Sequence, residues 1–250
     1  MIEITEHGDI HQLRMNRAPV NALNPELLDA LIDAVQGAPA RGARGMIISG
    51  AEKVFSGGLD VPYLMTQDRN GLGACWLRFF EAARAIARSS IPVVAAISGH
   101  NPAGGCVLAL CCDYRVMARG PFRIGLNETQ VGLAVPDAIQ YLMRRVVGPH
   151  RAERLIVAGA MVESVEALSI GLVDAVTDVG EVVAFATNWL KELLALPYSP
   201  MLATRRIARK DIIDALEGFD LAELENFLDG WYSADTQVAL RTLMQRLGKR

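Results

Sequence analysis

Ser98-Gly99-His100-Asn101-Pro102-Ala103-Gly104-Gly105-Cys106 is the stretch on which the reading of the chain turns. It joins an apolar run after Pro92, residues 93–98, to a helical stretch over 104–112. Small residues at 103–105 let a ligand approach the backbone. The N–H of Gly104 stands at a helix start, where the aligned peptide dipoles favour negative charge. The spacing is not the G-x-G-x-x-G of dinucleotide binding.

A second corner of this kind lies upstream, at Val54-Phe55-Ser56-Gly57-Gly58-Leu59-Asp60, after a strand at 45–49. Its glycines permit positive φ and can leave the Leu59 N–H aimed into open space. An ordinary turn with Asp60 as a helix cap explains the same residues. Two such corners converging on one developing negative charge would form an oxyanion hole. Downstream, Ile124-Gly125-Leu126-Asn127-Glu128-Thr129-Gln130-Val131-Gly132-Leu133 sets one carboxylate among small and apolar residues. Glu128 is either a solvated loop acid or a partly desolvated one, and desolvation raises a carboxyl pKa toward the range a general base needs.

From these corners outward, the first half alternates strands and helices. Strands are expected at 2–6, 10–15, 45–49, 93–98 and 114–117, and helices at 24–35, 72–89 and 104–112. Asn24-Pro25-Glu26 is a strong helix start. Alternation of this kind argues for βαβ units. After Pro136 the periodicity is helical, at 137–146, 150–158, 181–194, 200–209, 221–230 and 235–247, with one short strand at 172–176. No repeat or long linker interrupts it.

A chain of 250 residues with 51% hydrophobic content can bury a large core. Lys+Arg 25 against Asp+Glu 28 leaves no basic field for nucleic acid or an anionic membrane. No segment approaches the roughly 18 apolar residues of a membrane span, and the opening MIEITEHGDIHQL lacks the pattern of a signal peptide. Cys75, Cys106, Cys111 and Cys112 form no C-x-x-C pair and have no His partner at metal spacing. They read as buried thiols in a reducing compartment, and a cytoplasmic protein with no metal site is expected.

The three segments, in this order, resemble the enoyl-CoA hydratase/isomerase (crotonase) superfamily. The likeness also runs through Met15-Asn16-Arg17-Ala18-Pro19-Val20-Asn21-Ala22-Leu23, Asp113-Tyr114-Arg115, Gly148-Pro149-His150-Arg151-Ala152-Glu153 and Ala167-Leu168-Ser169-Ile170-Gly171-Leu172-Val173-Asp174. It implies an α/β chain of the crotonase (ClpP-like) fold, with repeated ββα units in a spiral core over 1–190. A helical region at 191–250 would serve trimerisation. Within the superfamily, Cys112-Asp113-Tyr114-Arg115 followed by Ile124-Gly125-Leu126-Asn127-Glu128-Thr129-Gln130 is similar to the Δ3,Δ2-enoyl-CoA isomerases of the mitochondrial type.

That likeness implies Glu128 as the catalytic acid/base and the N–H groups of Leu59 and Gly104 as oxyanion donors. It places Ala18, Val20, Asn21, Gly57, Gly58, Asp60 and Ala103 around the coenzyme A and substrate. The implied substrate is an acyl-CoA thioester, with coenzyme A part of it and no separate cofactor. The expected reaction is a shift of the double bond of 3-enoyl-CoA to trans-2-enoyl-CoA in fatty acid β-oxidation. The expected assembly is a homotrimer or a dimer of trimers, with no nucleic-acid or membrane partner. Hydratases of the superfamily use two glutamates, and the position of the first is Val107 here. The family more often has alanine where this chain has Gly57. Alternatives are a hydratase, hydrolase or decarboxylase of the same superfamily, or a non-catalytic acyl-CoA- or RNA-binding homologue.

Other residues carry weaker signals. His100 sits in the second corner, where the proposed chemistry does not need it. Trp76, Phe79 and Phe80 read as core packing before acyl-pocket wall. Asn127 and Gln130 bracket Glu128. Arg205-Arg206 and Arg209-Lys210 read as a solvated helix face, with a possible use against coenzyme A phosphates.

Overall fold

The computed structural model describes residues 1–248; residues 249 and 250, the end of the expected helical region, lie outside the described residues. The chain opens with an antiparallel hairpin of β1 (Ile2–His7) and β2 (Ile10–Met15), in register from Ile2↔Met15 to His7↔Ile10. Then come α1 (Pro25–Gly37), β3 (Gly45–Ser49), α2 (Val61–Leu64), α3 (Arg69–Ala87), β4 (Val93–Ile97), β5 (Asn101–Pro102), α4 (Gly104–Leu110), β6 (Tyr114–Ala118) and β7 (Arg123–Gly125). The second half holds α5 (Asp137–Val147), α6 (Pro149–Ala158), β8 (Val162–Glu163), α7 (Ser164–Ser169), β9 (Ala175–Thr177), α8 (Val182–Leu194), α9 (Tyr198–Ala208), α10 (Lys210–Glu217), α11 (Leu221–Trp231) and α12 (Ala234–Leu247).

One sheet runs β1-β2-β3-β4-β6-β9, parallel from β2 onward, and a smaller one runs β5-β7-β8. The chain thus repeats a main-sheet strand, a small-sheet strand and a helix, as in β4-β5-α4 and β6-β7-α5. Strands β3 and β4 are buried on both faces, which is why Gly45-Met46-Ile47-Ile48-Ser49 and Val93-Val94-Ala95-Ala96-Ile97 carry almost no polar side chains. Alternate residues serve opposite faces. Ile47, Val94 and Ala96 pack under Val182, Ala186 and Leu190 of α8, while Met46, Ile48, Ala95 and Ile97 join the larger core with α1, α3 and α4. The start of α1 is as the sequence predicts: Asn24 Oδ1 accepts the Leu27 N–H at 3.0 Å, with Pro25 in the first turn.

Helices α7 and α10 were not among the expected ones, and three further features differ from the sequence reading. The expected strand at 172–176 begins only at Ala175, because Leu172 and Val173 donate their amides to Ala167 O, closing α7, and turn their side chains into the core. The small sheet was not expected at all: its strands are two or three residues long, too short for a period of two to register.

The third difference concerns the expected solvated face at 205–210, where Arg205 and Arg209 instead point inward. The Asp113 carboxylate accepts the first amide of β4, Val93 N–H, at 2.8 Å and is largely, though not fully, withdrawn from solvent there. The Arg205 fork neutralises it, Nε to Oδ1 at 2.7 Å and Nη2 to Oδ2 at 2.8 Å, and Arg209 Nη1 adds a contact at 3.2 Å. Only Arg206 and Lys210 of this group remain exposed.

Candidate active site

Each corner fixes its peptide plane from the carbonyl side. At the first, Gly58 adopts φ +82°, its N–H donates to Ser56 Oγ at 3.1 Å, and its carbonyl accepts the Leu23 N–H at 2.8 Å. The peptide is trans, so holding that carbonyl turns the Leu59 N–H the opposite way. At the second corner, Ala103 takes the unusual pair φ 47°, ψ −122°. A non-glycine residue held there marks a backbone constrained by its surroundings. Here Ala103 N–H donates to Gly125 O at 2.9 Å and Ala103 O accepts the Val107 N–H at 3.0 Å as the first bond of α4. The Gly104 N–H projects from the helix end. Among the described residues, neither the Leu59 nor the Gly104 N–H has an acceptor.

The two free amides border one small space. A Cβ built on Gly104 would stand 3.5 Å from Leu59 N, and one on Gly58 would stand 3.5 Å from Gly104 N. The small sheet brings the carboxylate there, since β5 pairs with β7 through Asn101↔Ile124 and Pro102↔Gly125, and Leu126-Asn127-Glu128 follows directly. Glu128 opens a 3-10 turn, Glu128–Val131. The residue is 9% exposed, and Oε2 is buried without a hydrogen-bond partner among the described residues. Burial raises its pKa to about 7, against a smaller lowering by its own main-chain N–H. The desolvated alternative is the one the fold realises.

Leu59, Gly104 and Glu128 line a single cavity of about 260 Å³, whose apolar wall includes Trp76, Phe79 and Leu243. Gly57 and Ala103 also line it. Trp76 and Phe79 are therefore both core and wall, with Trp76 stacked on Phe227 at 3.7 Å, whereas Phe80 is core alone. Ala18 and Val20 are exposed beside the first corner, where Val20 O accepts the Gly57 N–H at 2.7 Å. Asn21 and Asp60 turn inward and brace that corner without lining the cavity. Asn21 Nδ2 donates to Phe55 O at 3.0 Å, Ser56 Oγ donates to Asn21 O at 2.8 Å, and Asp60 both caps α2 and pairs with Arg17 at 2.7 Å.

His100 is exposed and outside the cavity, its Nδ1 accepting the Arg123 N–H at 3.2 Å. Gln130 donates from Nε2 to Gly159 O at 2.7 Å, supporting the Glu128 turn, while Asn127 Oδ1 is buried without a partner. Val107 is 1% exposed in the core. The four thiols are buried, and burial pushes Cys75 up to about 11 and Cys111 to about 12, which removes them as nucleophiles at neutral pH. Sequence reasoning missed Leu243 and the bracing roles of Arg17 and Ser56. Leu243 belongs to an amphipathic helix whose partner no local pattern names; Arg17 and Ser56 lay inside quoted motifs but carried no distinguishing signal.

Residues 5–242 match the enoyl-CoA hydratase/isomerase family. The chain is 30% identical to mouse mitochondrial enoyl-CoA delta isomerase 1 over 253 residues, covering 100% of this chain and 88% of the relative. A putative enoyl-CoA hydratase of Thermus thermophilus is 30% identical over 211 residues, covering 82% of this chain and 83% of the relative. The crystal structure of human mitochondrial delta3-delta2-enoyl-CoA isomerase superposes with a TM-score of 0.94 at 29% identity, over 99% of this chain and 98% of that one. With the family matched over nearly its whole length, and with two corners and a buried glutamate meeting in one cavity, the chain belongs to the enoyl-CoA hydratase/isomerase family, on the crotonase fold.

Proposed function

We propose that this enzyme moves the double bond of a 3-enoyl-CoA into conjugation, giving trans-2-enoyl-CoA, with Glu128 as the only acid/base. The observation that carries the reading is the lone carboxyl group with a pKa of about 7 in the cavity that also holds two unpaired main-chain donors. The thioester oxygen accepts from the N–H groups of Leu59 and Gly104, which acidifies C2. The Glu128 carboxylate takes a C2 proton, and negative charge collects on the oxygen held by the amides. The same carboxyl group then delivers a proton to C4, and the bond order moves from C3–C4 to C2–C3. These steps use only groups of the chain and the substrate; coenzyme A enters and leaves as part of the thioester.

A carboxyl pKa near 7 suits both halves of this exchange, because the group must accept a proton and return it. Hydration would need a second group to orient and activate water, and Val107 supplies none. The four buried, unpaired thiols fit a reducing compartment such as the cytoplasm. The test is product identification with 3-hexenoyl-CoA and crotonyl-CoA offered separately. Conversion of 3-hexenoyl-CoA to the 2-enoyl product, with little water added to crotonyl-CoA, is the expected result. Fast hydration of crotonyl-CoA with no bond shift would replace the reading with a hydratase.

A further inference from the structure

The turn that carries Glu128 is held from two sides. Thr129 Oγ1 donates to Ile156 O at 3.3 Å and Gln130 Nε2 to Gly159 O, which ties it to the end of α6. On the other side the last helix reaches back. Thr236, in the first turn of α12 and 2% exposed, donates from Oγ1 to Gly132 O at 2.5 Å. Ser233 Oγ donates to Thr236 Oγ1 at 2.9 Å, so the one proton of the threonine hydroxyl is directed to Gly132. Gly132 has φ +81°, and a Cβ there would lie 2.8 Å from Thr236 Cα, so glycine is what lets α12 seat directly on the turn.

The bonds that shape the Glu128 backbone start at this glycine. Gly132 N–H donates to the carbonyls of Glu128 and Thr129, and Leu133 N–H to Glu128 O at 3.0 Å. Thr236, Leu240 and Leu243 share one face of α12 by their helical spacing. Leu240 is fully buried, and Leu243 lines the cavity with Glu128. We propose that Thr236 is a positioning residue for Glu128: by holding the Gly132 carbonyl it fixes the carboxylate-bearing turn over the Leu59 and Gly104 amides and docks the helix whose Leu243 closes the cavity. The inference rests on Glu128 as the base and adds the group that places it.

The burial that shifts Glu128 would fall if this helix loosened, and its pKa would move down toward the ordinary carboxyl range. No charged side chain of α6 or α12 contributes to the shift. On α4, the Cys106 thiol feels the Glu128 charge and is itself pushed up by burial, so it stays neutral.

Thr236→Val keeps the shape and removes the donated proton, Thr236→Ser keeps the proton, and Thr236→Ala replaces the valine variant if that one does not fold. The deciding readout is titration of the Glu128 carboxyl carbon by carbon-13 NMR, the signal being assigned by its loss in Glu128→Gln. In Thr236→Val the titration is expected at lower pH than in the parent. The turnover of 3-hexenoyl-CoA is expected to fall by about 10- to 100-fold, the loss typical of a slightly misplaced group, with KM changed less and Thr236→Ser restoring both. An unmoved titration overturns the proposal, even if the melting temperature drops. If the parent shifts no double bond yet Thr236→Val lowers the titration, the proposed reaction fails and the positioning role stands.

Discussion

Glu128 is a buried carboxyl group with no counter-charge among the described residues, and the chemistry proposed for it conflicts with the stability of the fold. Its pKa in the folded protein, about 7, lies above the 4.5 of an exposed glutamate. A group raised in this way stabilises the fold fully below pH 4.5. That contribution is lost as the pH rises to about 7, because ionisation is disfavoured in the folded state alone. The difference corresponds to roughly 3 kcal/mol above neutral pH. Glu128→Gln is therefore expected to be more stable than the parent in urea at pH 8 and to lose that advantage by pH 4. An equal gain at both pH values would mean that something other than the charge is responsible. Glycine corners and a glutamate could be picked out in the sequence, but which of two environments Glu128 occupies could not, since its burial comes from residues far along the chain.

At the scale of elements, the sequence was most legible where an element is long and capped. Asn24-Pro25 announced α1, and the apolar runs of β3 and β4 announced the centre of the main sheet. It was least legible where a distant partner decides the outcome. Arg205 and Arg209 carry the same side chains as a solvated basic face, and the Asp113 carboxylate together with the carbonyls of Ser89 and Cys111 draws them in. The strand that sets Glu128 beside Gly104 is a three-residue piece paired with a two-residue one, below the length at which periodicity speaks. The Asp113–Arg205 fork joins α9 to the start of β4, and Arg205→Ala leaves a largely buried carboxylate with the Val93 N–H and the longer Arg209 contact. Its unfolding free energy in urea is expected to fall by about 3 kcal/mol; a loss below about 1 kcal/mol, the range of a solvated pair, would return the cluster to the surface role.

For the whole molecule, the six-stranded sheet is covered by α8 on one face and by the larger core on the other. No described helix is long and apolar enough to cross a membrane. Val157 on α6 and Val165 and Leu168 on α7 are exposed apolar side chains, as are Ile207, Leu221 and Val238. The family resemblance implies a trimer or a pair of trimers. Light scattering is expected to give three or six times the 27.1 kDa chain mass, and a monomer at micromolar concentration would contradict it. The helices of the C-terminal region were visible in the sequence as amphipathic periods. That α12 folds back over the cavity of its own chain was not, because an apolar stripe does not say which surface it will cover.

The measurement that bears most directly on the proposed chemistry is the turnover of 3-hexenoyl-CoA by Glu128→Gln, which keeps the side-chain size and both amides but cannot accept a proton. The expected result is a loss of about 10²- to 10⁴-fold in kcat, with thioester binding largely retained. In the parent, kcat/KM is expected to fall as the pH drops through about 7. A Glu128→Gln enzyme that shifts the double bond at the parent rate would contradict the assignment.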